Sequence, residues 1–252
     1  MDPLKISIAD AWDRGVADYD DLVAHGRLTR TEADAWKAVL GRALPPLSGQ
    51  APRRVLEVGA GTGVMSLLIA ELGYQLTAID ISRGMLQEAR RKAAQRRLPI
   101  TFEIADAEVL PFPDDEFDAV FGRHILWTLP QPDKALREWH RVLRPGGALV
   151  LVDSLAVRPN TAARLRRAIS RLLATLQPSG GGHRYGPGVR ESLPLAGNHD
   201  PDRYSELIRS AGFSQVRAET LDQLTAMERN AMPLVERWHG EERKYLFTAR
   251  RD

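Results

Sequence analysis

The chain has 252 residues, a formal net charge of +2 and no cysteine. This length allows one domain with a sizeable core and a small accessory part. The absence of cysteine excludes a disulfide framework, a thiolate zinc site and a cysteine nucleophile. The first residues lack a signal-peptide pattern and no apolar run reaches membrane-spanning length, so we expect a cytoplasmic protein with no membrane partner.

The basic residues give no sign of a nucleic-acid surface. Arginine outnumbers lysine and alanine is abundant, which indicates a GC-rich genome. The densest basic run, residues 90–97, lies on a predicted helix with Met85 and Leu86 on another face. Such runs are usually solvated helix faces, so we expect no nucleic-acid partner.

Apolar runs of strand length alternate with helical patterns along the chain. The predicted strands are residues 54–58, 75–80, 100–104, 117–122, 148–153, 215–219 and 244–249. The predicted helices between the first five strands are residues 63–71, 82–95 and 132–143. This alternation predicts an α/β fold, namely a Rossmann-like, doubly wound sheet of seven mostly parallel strands.

Two segments lie outside the alternation. Residues 1–50 contain predicted helices at 8–19 and 31–44, and we expect them to form an N-terminal helical lid on a core of residues 51–252. Residues 154–202 form a helical and loop insertion after the fifth strand, with a predicted helix at 160–176. A Gly- and Pro-rich stretch at 178–188 follows that helix, and long irregular stretches in compact domains are often functional.

The most specific motif is a glycine turn between the first predicted strand and the following helix. It reads Glu-x-Gly-x-Gly-x-Gly, with Glu57 first and Gly63 last. Glycines let the backbone approach a ligand closely, and the helix N-terminus attracts an anion. A dinucleotide fingerprint would need glycine where Val64 stands, and no lysine follows as in a phosphate-binding Walker loop. The spacing favours another nucleotide-like cofactor, with an NAD-dependent enzyme as a weaker alternative.

Acidic residues end the next two predicted strands. Asp80 follows the turn by about twenty residues, where a carboxylate can accept hydrogen bonds from both hydroxyls of a ribose. Alternatively, an acidic residue there could only cap the following helix, as Ser82 could. Asp106 begins the segment Asp-Ala-Glu-Val-Leu-Pro-Phe at the end of the third strand.

The glycine turn, Asp80, the segment from Asp106 and the Leu-Arg-Pro-Gly-Gly run at 143–147 resemble, in order and spacing, the class I methyltransferases that depend on S-adenosylmethionine (SAM). The resemblance covers residues 54–153 in detail. It implies SAM as cofactor and S-adenosylhomocysteine (SAH) as product. The residues expected to bind the cofactor are Tyr19, Glu57, Gly59, Ala60, Gly61, Thr62, Gly63, Asp80, Ile81, Met85, Asp106, Ala107 and Arg123.

The resemblance also implies how these residues divide the cofactor between them. The glycine turn would hold the methionine end, with Glu57 facing the ammonium group through water. Asp106 and the backbone N–H of Ala107 would bind adenine. Tyr19, in the lid, would cover the methionine or methyl region.

The acceptor side follows the fourth strand, where Arg123 and His124 would lie beside the sulfonium. His124 is the candidate catalytic residue, as a base or an orienting hydrogen-bond partner, because histidine titrates near neutral pH. Capping of the strand end or packing on the cofactor is the alternative for His124 and the favoured role for Arg123. His25 and Trp127 are candidate substrate-binding residues.

The sequence therefore predicts transfer of a methyl group from SAM to an O, N or C atom of a small organic acceptor by in-line displacement. The resemblance is to the branch that acts on metabolites, including bacterial secondary metabolites and quinones. A non-catalytic SAM- or SAH-binding subunit is the alternative. We expect a monomer or homodimer without a metal ion. The expected acceptor pocket is lined by Leu165, Ile169, Leu193, Leu195 and Trp127.

Overall fold

The computed structural model describes residues 2–20, 28–47, 53–156, 188–197, 200–231 and 242–252. The strands are β1 (Arg54–Val58), β2 (Gln75–Asp80), β3 (Ile100–Ile104), β4 (Phe117–Arg123), β5 (Leu143–Ala156), β6 (Ser214–Thr220) and β7 (Glu242–Arg250). The α-helices are α1 (Pro3–Tyr19), α2 (Arg30–Ala43), α3 (Val64–Glu71), α4 (Arg83–Arg96), α5 (Pro132–Val142), α6 (Pro201–Ser210) and α7 (Asp222–Ala231). None of these helices is both long and apolar enough to cross a membrane.

The strands form one seven-stranded sheet in the order β3-β2-β1-β4-β5-β7-β6. The first five strands are parallel, whereas β7 runs antiparallel to β5 and β6. The predicted Rossmann-like fold class is confirmed. Because β1 lies between β2 and β4, the strand order reverses there, and ligands bind beyond the carboxyl ends of the strands at such a point.

Helices cover both faces of the sheet, so the central strands are apolar on both sides. Alternate residues of β4 show this arrangement. Val120 packs in the cluster that contains Trp139 of α5, whereas Ala119 and Phe121 pack in the cluster that contains Trp36 of α2. The sheet is thereby fixed between two layers, and its carboxyl edge is a rigid base for a site.

Some element boundaries differ from the predicted ones. Strand β5 begins at Leu143, not at residue 148, because the Pro-Gly-Gly stretch forms an irregularity within its pairing with β4 and does not end it. Helix α1 begins at Pro3, where the missing N–H is tolerated, and Asp2 accepts a hydrogen bond from the N–H of Leu4 at 2.9 Å. Helices α6 and α7, each of ten residues, were not predicted.

Several predicted features lie outside the described residues. They are the helix at 160–176, the Gly- and Pro-rich stretch up to residue 187, His25, Leu165 and Ile169.

Candidate active site

A cavity of about 520 Å³ lies at the carboxyl ends of the strands, beside α1. Most predicted site residues line it: Tyr19, Gly59, Gly61, Asp80, Ile81, Met85, Asp106, Ala107, Arg123, His124 and Trp127. The structure therefore brings together residues from α1 and from the ends of four strands. Leu195 also lines the cavity, whereas Leu193 packs beside Ile8 and Val189.

The glycine turn has a backbone conformation that side chains rarely allow. Gly59, Gly61 and Gly63 have φ values of +70°, +55° and +81°. A Cβ on Gly59 would lie 2.6 Å from Cδ1 of Ile125, and one on Gly63 would lie 2.8 Å from Cβ of Ala89. The third glycine is therefore required at position 63 because the turn packs against α4.

Asp80 holds the turn from the neighbouring strand. Its Oδ2 accepts a hydrogen bond from the N–H of Gly61 at 2.8 Å, and its Oδ1 accepts one from the N–H of Ser82 at 2.9 Å. Ser82 caps α4 by accepting a hydrogen bond from the N–H of Met85 at 3.1 Å, so the capping role belongs to Ser82. Carboxylate oxygens accept more than one hydrogen bond each, which leaves Asp80 able to bind ligand hydroxyls.

The other residues of the turn lie behind the cavity wall. Glu57 is buried and accepts a hydrogen bond from the hydroxyl of Ser66. Burial raises the pKa of Glu57 to about 8, although this hydrogen bond acts in the opposite direction. Thr62 donates a hydrogen bond to Asp20 at 2.6 Å, and Ala60 donates its N–H to the carbonyl of Ile79. These contacts fix the shape of the turn.

The end of the cavity near β3 contains a buried lysine that sequence reasoning missed. Lys5 of α1 pairs with Asp106, with Nζ and Oδ2 at 2.6 Å, and also with Glu108. Burial lowers the pKa of Lys5, but its hydrogen bonds to these carboxylates outweigh burial and raise it. Lys5 stands before the predicted start of its helix and 101 positions from Asp106, so no local pattern identified it.

Helix α1 is docked over the cavity at the start of α4. Asp13 accepts hydrogen bonds from the hydroxyl of Ser82 and, at 2.8 Å, from the N–H of Gly84. A carboxylate there is stabilised by the helix dipole. Trp12 and Tyr19 meet edge to face, with ring centroids 6.0 Å apart. The α1 side chains that line the cavity are Lys5, Ile8, Trp12 and Tyr19.

His124 lines the cavity and contacts a buried carboxylate, that of Asp153. Nδ1 of His124 lies 3.3 Å from Oδ1 of Asp153. Burial raises the pKa of Asp153 to about 7, and its Oδ2 accepts a hydrogen bond from the hydroxyl of Tyr204 at 3.2 Å. Burial also raises the pKa of Tyr204, so its hydroxyl stays protonated and donates.

His124 is held in an unusual conformation for this contact. Its φ is +55°, which is uncommon for a residue other than glycine, and its N–H donates to the carbonyl of Val152 at 2.9 Å. A carboxylate at Nδ1 orients an imidazole and favours Nε2 as the nitrogen that can take a proton. Asp153 is the last residue of a predicted strand that ends beside the site. This position in the sequence could have identified Asp153 as a site residue.

Arg123 lines the cavity and contacts a residue of α2. Its guanidinium lies over the ring of Trp36 at 4.9 Å, a cation–π contact, and burial lowers its pKa. The packing role that the sequence favoured for Arg123 stays a prediction. On the same wall, the buried Lys244 and Glu228 form an ion pair of 2.7 Å that the sequence did not indicate.

Together, this fold and site define a class of protein, namely Rossmann-like enzymes that bind an adenosyl cofactor at the switch point of the sheet. The cavity fits SAM chemically. Asp80 has acceptor positions left for a ribose, the backbone of Gly61 can approach a ligand, and the wall carboxylates offset cationic groups.

Comparison with known proteins identifies the family. The methyltransferase domain family matches residues 56–151. A demethylmenaquinone methyltransferase of Clavibacter sepedonicus is 32% identical over 204 residues, which cover 79% of this chain and 80% of that relative. The chain belongs to the class I SAM-dependent methyltransferases, with SAM as its cofactor and SAH as its product.

Solved structures share the fold at low sequence identity. The geranyl diphosphate C-methyltransferase of Streptomyces coelicolor A3(2) has a TM-score of 0.65 at 15% identity, with 100% of this chain and 99% of that chain covered. The [4+2]-cyclase SpnF has a TM-score of 0.64 at 22% identity, with 97% and 94% covered. Because a cyclase has the same fold, the reaction must be argued from the site.

Proposed function

We propose that this methyltransferase acts on an O, N or C atom of a small organic acceptor, and that the acceptor is a hydroxylated ring of the quinone class. The single observation that carries the proposal is the contact between His124, which lines the cavity, and the buried Asp153. A base there is needed only if the acceptor must lose a proton, as a phenol or a hydroxylated ring carbon does. The name of the Clavibacter relative, a demethylmenaquinone methyltransferase, supports the quinone class.

The cofactor residues divide along the cavity in this proposal. Asp80 binds the ribose, Asp106 and Ala107 bind the adenine, and the turn from Gly59 to Gly63 holds the methionine end. SAM, when bound, supplies a methyl group made electrophilic by the sulfonium. Tyr19 and Trp12 of α1 line the cavity. In this proposal they exclude water from the bound cofactor, which favours displacement by the acceptor over side reactions.

His124 performs the proton transfer in this proposal. Asp153 accepts a hydrogen bond from Nδ1–H and orients the ring, and Nε2 removes a proton from the acceptor. The hydroxyl of Tyr204 holds the other oxygen of Asp153, so the carboxylate keeps its orientation during the transfer. Trp127 and, outside the described residues, His25 are proposed to contact the acceptor. Exclusion of water and orientation of the acceptor towards the methyl group supply the rest of the rate enhancement.

We also propose the organisation of the chain around this function. Residues 1–50 form the lid, residues 51–252 form the methyltransferase core, and residues 154–202 contribute the acceptor side. The protein works as a monomer or a homodimer, and it recognises neither nucleic acid nor a membrane.

The test is transfer of tritium from labelled SAM. The purified protein is incubated with reduced 1,4-naphthoquinone and, separately, with extract of the source cell. Labelled product with the naphthoquinol supports the proposed acceptor class, whereas label only in an extract component of another class contradicts it. A folded protein that binds SAH but transfers no label to either contradicts methyl transfer and points to the non-catalytic role.

A further inference from the structure

A buried ion pair in the cavity wall is not used by the proton transfer described above. Glu228 on α7 and Lys244 on β7 lie 2.7 Å apart and are only 6% and 4% exposed. Both side chains line the cavity. Two opposite charges removed from water at a ligand cavity suggest recognition, because a pair that served packing alone could be replaced by apolar side chains at little cost.

The pair has hydrogen-bonding capacity that the described residues do not use. Oε1 of Glu228 is buried and has no hydrogen-bond partner in the described part of the chain. An ammonium group has three N–H donors. Glu228 takes one donor of Lys244, and Oγ of Ser154 takes another at 3.1 Å. The pair thus keeps one acceptor and one donor for a group in the cavity, and an unmet buried acceptor is costly without such a group.

The pair is connected to the proposed base. Ser154, which accepts from Lys244, donates its own N–H to Oδ1 of Asp153 at 2.9 Å. The same Oδ1 faces His124. His124, Glu228 and Lys244 all line the same cavity, so a ligand that reaches His124 shares that cavity with the ion pair.

We propose that Glu228 and Lys244 form a binding site for a hydroxyl group of the methyl acceptor. The hydroxyl donates its hydrogen to Oε1 of Glu228 and accepts an N–H from Lys244. A carboxylate ligand has no hydrogen to give Oε1 of Glu228 and brings a second negative charge next to it, and a hydrocarbon leaves both groups unsatisfied. The site therefore selects alcohols or phenols, and this selection rests on the proposed function for its acceptor.

The experiment measures binding without turnover. Equilibrium dialysis of the SAH-loaded protein compares 2-naphthol, naphthalene and 2-naphthoate, which differ in one substituent. We expect the protein to bind 2-naphthol about tenfold more tightly than naphthalene, as a hydrogen bond to a charged group predicts, and 2-naphthoate most weakly. Equal binding of 2-naphthol and naphthalene overturns the proposal.

Two variants separate recognition from structure. In Glu228→Gln the negative charge next to the bound group is removed while Lys244 still offers its N–H donors, so affinity for 2-naphthoate should rise about tenfold, a gain that a misfolded protein cannot give. In the double variant Lys244→Met/Glu228→Met both charges of the pair are removed together, and the preference for 2-naphthol over naphthalene should disappear. Unchanged affinity for 2-naphthoate in Glu228→Gln, or an unchanged preference in the double variant, overturns the proposal.

A matched control uses another ion pair. Lys37 and Glu71 lie 2.7 Å apart between α2 and α3, away from the residues that line the cavity. The double variant Lys37→Met/Glu71→Met should keep the full preference for 2-naphthol. Because dialysis involves no methyl transfer, its result is independent of the tritium assay, so failure of this site and failure of the proposed function can be told apart.

Discussion

Nδ1 of His124 lies 3.3 Å from Oδ1 of Asp153, although the two residues are 29 positions apart. The register of the sheet explains the contact. Strands β4 and β5 pair in parallel with Arg123 opposite Val152, so the next residue of each strand reaches the same edge. The proposed site for proton transfer is therefore built by strand pairing and does not depend on a local motif.

Replacement of His124 by alanine should lower turnover by about 10²-fold or more, because a positioned base contributes that much. The affinity for SAH should change little, since the proposed role is on the acceptor side. Single-turnover rates and calorimetric binding of SAH measure the two effects. His140→Ala is the control, because His140 packs against Phe213 and does not line the cavity. An unchanged rate in His124→Ala would rule out the proposed base.

The pH profile should report Asp153, whose pKa burial raises to about 7. Above this pH the carboxylate is ionised and accepts the hydrogen bond from His124, whereas below it the protonated acid does so poorly. We therefore expect kcat/KM to rise as pH increases through about 7. In Asp153→Asn the rise should disappear and the rate should stay low. If the same inflection persists in Asp153→Asn, another group causes it.

Asp80→Ala should weaken SAH binding by at least about tenfold, because hydrogen bonds from ligand hydroxyls to a charged carboxylate are lost. The turn also loses the acceptor for the N–H of Gly61, so its shape is less well held. Isothermal titration calorimetry measures the affinity and circular dichroism verifies the fold. Glu206→Ala, a change at an exposed site on α6, should bind SAH like the parent. SAH affinity equal to that of the parent in a folded Asp80→Ala would refute the ribose role.

Asp13→Ala should loosen α1 from the start of α4. The variant loses the acceptor for Ser82 and Gly84, an interaction comparable to a helix cap and worth about 1 kcal/mol. We expect hydrogen exchange in α1 and dissociation of SAH to become about fivefold faster, the factor that this free energy implies. Asp10→Ala changes an exposed carboxylate on the same helix and should have neither effect. Identical exchange in the two variants would contradict the docking role of Asp13.

Glu57→Gln should change how stability depends on pH. Burial raises the pKa of Glu57 from 4.5 to about 8, so the folded protein keeps a proton that the unfolded chain has lost in this interval. The contribution of Glu57 to the free energy of unfolding is therefore fully present below pH 4.5. It is lost as pH rises to about 8, at up to about 1.4 kcal/mol per pH unit. The free energy of unfolding, measured with urea at pH 5 and at pH 8 without SAH, should decrease less between these pH values for Glu57→Gln than for the parent protein. An equal decrease in both proteins would contradict the raised pKa.

The sequence by itself determined the sheet and the glycine turn beside the cavity. The alternation of apolar runs and helices is local, and so is the turn from Gly59 to Gly63, because its positive φ values allow few residues. The sequence also placed Asp80 and His124 at strand ends, since the carboxyl ends of parallel strands meet at one edge.

Only the tertiary structure decided which side chains meet across that edge. Lys5 reaches Asp106 across 101 positions, and Lys244 reaches Ser154 across 90. Neither contact has a local pattern, because each depends on how a helix docks or on which strand lies next to β5. Burial then sets the charges, since the pKa values of Glu57 and Asp153 rise only when packing removes them from water.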